Sequence, residues 1–200
     1  MPDLFMMRHG ESAYNLENRF TGLVDVPLSK RGIEEGEAAA VKLKPYKIDV
    51  AYTSKLKRAI DTLRIILNAR TNAVPEFENA ALNERNYGDL QGLNKAEVAK
   101  QYGDKQALIW RRSYNTAPPG GESLKDTAGR VVPYFKTVIS QDLKKGRNVL
   151  IVAHGNSLRA LFKELDTISD DDIAHLNLET GKIYLYRLDS DLKIISREIL

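Results

Sequence analysis

The chain has 200 residues, of which 42% are hydrophobic and 28% are charged, a composition typical of a globular protein with one full core. No apolar stretch approaches the ~20 residues of a membrane span, and the N-terminus lacks the features of a secretion signal, so we expect no membrane partner. The absence of cysteine excludes disulfides and thiolate metal ligands, and it is compatible with a cytoplasmic location. The net charge of +3 comes without a basic tract, which argues against nucleic-acid binding.

The first third of the chain has the pattern of a βαβ unit followed by a second helix. Residues 3–7 and 48–53 are predicted strands, and residues 29–43 between them have a small, apolar helical face. A crossover helix joins strands that run parallel, so we expect a mostly parallel sheet. Ser54 is expected to cap the next helix, whose apolar residues recur at helical spacing as far as Leu67.

The rest of the chain continues this alternation of helices and strands. Residues 71–93 are mostly irregular, and Pro133 is expected to kink or interrupt the long helix that begins at Ser123. The other predicted elements are short helices at 95–102, at 106–112 and from Leu158, and strands at 149–153, 182–188 and 193–197. No repeat or linker divides the chain, so we predict a single α/β domain over residues 1–200.

Two strand ends carry the same motif, His-Gly-x-Ser. His9 and His154 each follow an apolar strand, and open α/β sheets bind ligands beyond the carboxyl ends of their strands. Imidazole is a nucleophile that titrates near neutral pH. Arg8 and Arg58 lie at similar strand ends, and a guanidinium can form a bidentate hydrogen bond to two phosphate oxygens. The pattern favours a phosphoryl site. A lone histidine there is more often a packing residue, and a lone Arg58 a solvated helix charge, but the duplicated pattern strongly favours a functional role for His9 and His154. Spacing alone names no reaction.

Two other features carry weaker signals. His175 has neither glycine nor arginine beside it, and we expect no catalytic role for it. The acidic run at residues 170–172 invites a metal hypothesis, but after Ser169 it is more typical of a helix cap and first turn, where negative charge is favourable. We therefore expect no metal cofactor.

Seven ordered motifs cover nearly the whole chain. They are Arg8-His9-Gly10-Glu11-Ser12 with Asn15 and residues 18–22, then residues 53–59, 82–88, 91–95, 110–114, 121–124 and 154–159. Together they resemble the histidine phosphatase superfamily, and within it the cofactor-dependent phosphoglycerate mutases. An isolated Arg-His-Gly would be weak evidence, whereas seven blocks in family order are specific. The resemblance implies a three-layer α/β sandwich whose mostly parallel central sheet is flanked by helices.

The resemblance also implies a role for each catalytic residue. His9 would be the nucleophile that carries phosphate on a ring nitrogen. His154 would stabilise the transferring group, and Arg8 and Arg58 would neutralise its oxygens. Glu84 would exchange a proton with the substrate hydroxyl. Without the resemblance, Glu84 would be interpreted as a surface carboxylate paired with its neighbour.

A mutase must hold a carboxylate and a second phosphate in addition to the transferring group. The resemblance implies that further cations and hydrogen-bond donors bind this phosphoglycerate. These substrate-binding positions are Ser12, Asn15, Thr21, Gly22, Arg85, Tyr87, Lys95, Arg111, Arg112, Gly155 and Asn156. Taken alone, the Arg111-Arg112 pair would usually be a solvated helix surface.

The chain departs from the family pattern in three places. Leu23 stands where tryptophan is typical, the segment between Tyr114 and Gly121 is short, and the C-terminal tail that covers the site in some relatives is missing. We expect these departures to produce a more open site, and therefore some hydrolysis of the phosphohistidine.

The leading expectation is interconversion of 3-phosphoglycerate and 2-phosphoglycerate through a phosphohistidine primed by 2,3-bisphosphoglycerate. The alternative within the superfamily is a phosphatase acting on another small phosphoester. A non-catalytic phosphoprotein-binding module would be expected to lose a histidine or Glu84, and none is lost here. The expected partners are small phosphorylated three-carbon acids, and the resemblance suggests a homo-oligomer, with a dimer favoured.

Overall fold

The computed structural model describes residues 1–200 and contains one six-stranded sheet with helices on both faces. The strands are β1 (Asp3–Arg8), β2 (Val50–Thr53), β3 (Glu76–Glu78), β4 (Val149–Ala153), β5 (Ile183–Leu188) and β6 (Ile194–Ile199). The helices are α1 (Ala13–Leu16), α2 (Lys30–Leu43), α3 (Lys57–Asn68), α4 (Lys95–Tyr102), α5 (Asp104–Arg112), α6 (Leu124–Tyr134), α7 (Ser140–Lys144) and α8 (Gly155–Leu165).

The sheet has the order β3-β2-β4-β1-β5-β6. β4 lies between β1 and β2 and pairs with both in parallel, and β3 extends the parallel part beyond β2. β5 and β6 form an antiparallel hairpin at the other edge. The prediction of a mostly parallel sheet is confirmed. The register pairs Arg8 with Ala153, so the residues that follow β1 and β4 emerge side by side.

Alternate residues of each central strand pack in two separate cores, because successive side chains of a strand point to opposite faces of the sheet. Leu4 and Met6 of β1 pack in the larger core, against apolar side chains of α6 and α8. Phe5 and Met7 pack in the second core, against α2 and α3. All four of these β1 side chains are fully buried. Helices therefore cover both faces of the sheet, which confirms the three-layer sandwich.

Several predicted boundaries need correction. The N-cap of α3 is Leu56 and not Ser54, and α8 begins at Gly155 instead of Leu158, so that His154 itself is its N-cap. The strand β3 was not predicted, because its exposed Glu-Phe-Glu sequence lacks an apolar pattern. The expected irregularity near Pro133 is confirmed, since one π-helical stretch, Phe135–Ile139, separates α6 from α7. None of the helices combines the length and the apolar character needed to cross a bilayer.

Two glycines allow the loop after β1 to lie directly against the first turn of α2. A Cβ atom on Gly10 would overlap the carbonyl oxygen of Gly32, and one on Gly32 would overlap that of Glu11. Backbone meets backbone on both sides, so a side chain at either position would force the segments apart. The loop next to His9 is therefore held by close backbone packing.

We predict that Gly32→Ala lowers the free energy of unfolding by about 1–3 kcal/mol, because the new methyl group overpacks a backbone contact. Gly129→Ala is the matched control, since a Cβ there has no atom within 4 Å and alanine favours a helix interior by roughly 0.5–1 kcal/mol. Urea denaturation of both variants checks this. Equal stability of the two variants would contradict the close approach.

Candidate active site

The two motif histidines meet at the carboxyl edge of the sheet. His9 follows β1 and His154 follows β4, and their ring centroids lie 4.9 Å apart in an edge-to-face arrangement. The His9 amide donates to the carbonyl of Ala153 at 2.9 Å, which continues the β1–β4 ladder into the site. Both rings are buried. The interpretation of either histidine as an isolated packing residue is wrong.

Hydrogen bonding determines which nitrogen of His9 is nucleophilic. Nδ1 lies 2.6 Å from the carbonyl oxygen of Gly10, and because a carbonyl can only accept, Nδ1 carries the proton. The lone pair therefore lies on Nε2. Burial first, and then the charges of Arg58 and Arg8, hold the pKa of His9 well below its usual value. The ring is neutral at physiological pH, as a nucleophile requires.

Arg58 connects this nitrogen to a loop of the cleft. Its guanidinium donates to His9 Nε2 at 3.3 Å, to the carbonyl of Gly22 at 2.8 Å and to that of Val24 at 3.0 Å. The side chain is fully buried, and burial lowers its pKa to about 10. The alternative interpretation of Arg58 as a solvated helix charge is wrong. The residue presents a positive charge at the nitrogen where a phosphoryl group would attach.

Ser54 is a functional residue that the sequence analysis assigned to helix capping. Its Oγ lies 2.7 Å from His154 Nε2 and accepts a hydrogen bond from the amide of Leu56. Burial, followed by the charge of Arg58, holds the pKa of His154 well below its usual value, so this ring is also neutral. Ser54 orients a neutral imidazole beside the nucleophile. No local pattern signals this contact, because the partners are 100 residues apart.

Glu84 is buried at the same edge, with one carboxylate oxygen anchored by three hydrogen bonds and the other facing Gly155. Oε1 accepts from the amide of Arg85 at 2.8 Å, and from the amide and side-chain nitrogens of Asn156 at 3.1 Å each. A Cβ atom on Gly155 would lie 3.7 Å from Glu84 Oε2 and 3.6 Å from Arg8 Nε. One carboxylate oxygen and one guanidinium therefore converge on a glycine that leaves space above the start of α8.

The expected alternative, an ion pair between Glu84 and the next residue, is wrong. The Arg85 guanidinium is fully buried and instead donates to the carbonyls of Trp110 and Arg111, each at 2.9 Å. It also lies 4.5 Å from the centre of the Tyr87 ring. Glu84 therefore forms no salt bridge with Arg85.

A small, strongly basic cleft of about 150 Å³ opens above these residues. Eleven of the predicted site residues line it: Arg8, Asn15, Thr21, Gly22, Glu84, Tyr87, Lys95, Arg111, Arg112, Gly155 and Asn156. Arg19 and Arg159 also line the cleft and bring the number of its cationic side chains to six. Glu84 is the only carboxylate in the lining. Burial, and then Arg111, lowers the pKa of Arg112, and burial lowers that of Lys95. The arrangement suits a small molecule with several negative charges.

Comparison with known proteins agrees with this geometry. Residues 4–197 match the family model of the histidine phosphatase superfamily (branch 1). The chain belongs to the histidine phosphatase superfamily. Among curated members, it is 58% identical over 196 residues to a 2,3-bisphosphoglycerate-dependent phosphoglycerate mutase from Cytophaga hutchinsonii, with 98% of this chain and 92% of the relative covered. A mutase of the same name from Lactiplantibacillus plantarum is 45% identical over 228 residues, covering 100% of this chain and 99% of the relative.

Solved structures of the superfamily have the same fold. A mycobacterial glucosyl-3-phosphoglycerate phosphatase superposes with a TM-score of 0.84 at 28% identity, covering 100% of this chain and 98% of that one. YhfR from Bacillus stearothermophilus superposes with a TM-score of 0.85 at 24% identity, covering 97% and 94% of the two chains. The likeness of folds extends over members with different substrates.

Within this superfamily site, two of the predicted substrate-binding residues lie behind the cleft wall. Ser12 is the N-cap of α1 and donates to Asn15 Oδ1 at 2.9 Å, and Arg85 supports the end of α5 from inside. Their placement fits support of neighbouring residues better than contact with substrate. Five further residues line the cleft that were not among the predicted site residues: Arg19, Phe20, Arg159, Asn177 and Leu178. Arg19 and Arg159 lie within the motifs at residues 18–22 and 154–159, so these motifs could have identified both residues from the sequence.

The two neutral histidines predict a specific pH dependence of stability. In the unfolded chain each has a pKa of about 6.5, so below that pH the unfolded state binds up to about two more protons than the folded state. The free energy of unfolding therefore falls as the pH drops from 7 to 5.5. We expect the double variant His9→Gln, His154→Gln to lose most of this dependence, measured by urea denaturation across the pH range.

The exposed His175 supplies the control. His175→Gln should keep the wild-type dependence on pH, because it leaves His9, His154 and their buried surroundings unchanged. An unchanged slope in the double variant would show that the histidines are not held neutral by the fold.

Proposed function

We propose that the chain is a 2,3-bisphosphoglycerate-dependent phosphoglycerate mutase, which interconverts 3-phosphoglycerate and 2-phosphoglycerate in glycolysis and gluconeogenesis. The observation that carries the proposal is a neutral, buried His9 whose Nε2 accepts from Arg58 and whose neighbour Arg8 lines a cleft with six cations and one carboxylate. The names of curated relatives at 45–58% identity support the same activity.

His9 is the proposed nucleophile of both half-reactions. Its Nε2 attacks phosphorus, so that an N–P bond forms while the P–O bond to the three-carbon acid breaks. Arg58 already donates to this nitrogen, and its charge, with that of Arg8, neutralises the oxygens of the transferring group. His154, held by Ser54, lies beside His9 with the ring centroids 4.9 Å apart. The rate enhancement comes from positioning and electrostatics.

Glu84 is the proposed acid and base. When the hydroxyl of the bound phosphoglycerate attacks phosphorylated His9, its proton passes to a Glu84 oxygen, and the N–P bond breaks as the new P–O bond forms. In the opposite half-reaction the same proton returns to the leaving oxygen. Only Oε2 is free to do this, because Oε1 already accepts three hydrogen bonds.

The outer cations suit the groups that do not react. 2,3-Bisphosphoglycerate, which supplies the phosphoryl group for His9, carries two phosphates and a carboxylate. Lys95, Arg111 and Arg112 line the cleft, whereas the two histidines do not, and these cations match the second phosphate and the carboxylate. Asn15 and the Thr21-Gly22 turn add hydrogen-bonding groups. The residues present therefore fit this primer.

A phosphatase of the same superfamily is the second candidate. Solved relatives at 26–28% identity carry the name of a glucosyl-3-phosphoglycerate phosphatase, and Leu23 is exposed beside the cleft where water could enter. The two candidates differ in the fate of the phosphoryl group, which goes to water in a phosphatase and returns to the three-carbon acid in a mutase.

We also propose that the protein is cytoplasmic and forms a homo-oligomer, with a dimer favoured. Light scattering of the purified protein would test the oligomeric state.

In an enolase-coupled assay we expect 2-phosphoglycerate from 3-phosphoglycerate only when 2,3-bisphosphoglycerate is present. His9→Ala should abolish both turnover and acid-labile phosphate on the protein, while His175→Ala should retain both. Release of inorganic phosphate without 2-phosphoglycerate would identify the phosphatase instead. Wild-type protein without acid-labile label would overturn the assignment of His9.

Glu84→Gln should separate proton transfer from phosphoryl transfer. Turnover of 3-phosphoglycerate should fall by about 10²–10⁴-fold, because an alkoxide leaves poorly without a proton. p-Nitrophenyl phosphate should still phosphorylate His9 in a single-turnover burst, because nitrophenolate leaves without a proton. Equal losses with both phosphoryl donors would rule out the acid–base role.

A further inference from the structure

Arg159, on α8, joins three separate segments of the site through one buried guanidinium. It is 3% exposed, and it donates to Asn156 Oδ1 at 3.0 Å, to the carbonyl of Arg112 at 3.0 Å and to the carbonyl of Ile173 at 2.5 Å. No carboxylate forms an ion pair with it. Its bonds go to three neutral acceptors, each from a different part of the chain.

Two of these acceptors belong to segments that carry cleft residues. Arg112 ends α5, where the last carbonyls of a helix lack intrahelical partners. Ile173 begins a stretch that includes Asn177 and Leu178 in the cleft lining, and Arg112 itself donates to the carbonyl of Leu176. Arg159 thus holds the end of α5 and residues 173–178 against each other and against α8.

The third acceptor controls the orientation of an amide. A guanidinium can only donate, so Arg159 requires the oxygen of Asn156 to face it. The Asn156 side-chain nitrogen then faces the opposite way and donates to Glu84 at 3.1 Å and to the Tyr87 hydroxyl at 3.2 Å. A rotated amide would present its oxygen to the Glu84 carboxylate, which is unfavourable.

We propose that Arg159 is a positioning residue that fixes the substrate-binding cations of α5 relative to the histidines. The inference rests on the proposed function, in which Lys95, Arg111 and Arg112 form an outer subsite for the groups that do not react. Arg159 is the residue that makes this outer subsite rigid. Only the planar fork of arginine reaches three acceptors in three directions, and lysine, with one nitrogen, cannot replace it. The subsite for the unreactive phosphate and carboxylate therefore depends on Arg159. His9 and Arg58 make no hydrogen bond to α5 or to residues 173–178, and Arg8 is the one phosphoryl-site residue that does, through the carbonyl of Leu178 at 2.8 Å.

The test compares the binding of two probes to the full-length protein by calorimetry. 3-Phosphoglycerate requires the outer subsite, and orthovanadate, a small oxyanion, occupies the phosphoryl subsite alone. In Arg159→Lys and Arg159→Met we expect 3-phosphoglycerate to bind at least about tenfold more weakly, with orthovanadate affinity changed by less than about threefold. In the mutase assay, KM should rise more than kcat falls.

Arg70 supplies the matched control. It too donates to two backbone carbonyls, those of Leu43 and Tyr46, but it lies away from the cleft lining. Arg70→Lys and Arg70→Met should lower the melting temperature and leave the affinity for both probes unchanged. A loss of melting temperature in the Arg159 variants without weaker 3-phosphoglycerate binding would reduce Arg159 to a structural role.

Two further outcomes would overturn the proposal. Wild-type affinity in Arg159→Lys would mean that charge alone suffices, and equal weakening of both probes would place Arg159 at the phosphoryl subsite. If the wild-type protein lacked mutase turnover but the two probes separated as expected, the proposed function would fail and the positioning role would stand.

Discussion

The cleft depends on buried positive charge that is balanced by backbone carbonyls instead of carboxylates. Arg58, Arg85 and Arg159 are almost completely buried, and every one of them donates to at least two main-chain oxygens from distant segments. Burying a guanidinium without an acid is costly unless its donors are satisfied. Carbonyl dipoles satisfy many of the donors but do not cancel the charge. The charge therefore remains available to an anion in the cleft.

The same charge determines the chemistry of the histidines. Burial and nearby guanidinium groups keep His9 and His154 neutral, so that a lone pair is present on His9 without an additional base. A phosphoryl group arriving at Nε2 brings negative charge to a place where Arg58 already points. Burying these guanidinium groups is unfavourable in the free protein, but the same positive charges attract the phosphoryl group in the complex. A preorganised site stabilises phosphoryl transfer in this way.

Sequence patterns predicted the parts of this arrangement that are local. The apolar strands with His-Gly-x-Ser ends, the α2 and α4 helices and the capping box at Ser123 depend on neighbouring residues, and the structure has them where expected. Contacts across the chain could not be predicted in this way. The contact between Ser54 and His154 arises because β4 lies beside β2, and Arg85 turns inward because the end of α5 packs over it; no short motif specifies either arrangement.

The division of the site into two parts follows from how each part is held. The histidines extend from paired strands, so their separation is set by sheet register and changes only if the core changes. The outer cations lie at the end of α5, which is held from inside by Arg85 and Arg159. The alignment with the Lactiplantibacillus plantarum relative is longer than this chain, so that relative carries insertions. Insertions are tolerated more readily in loops than in strands, so the length of the loops can vary around a constant phosphoryl subsite.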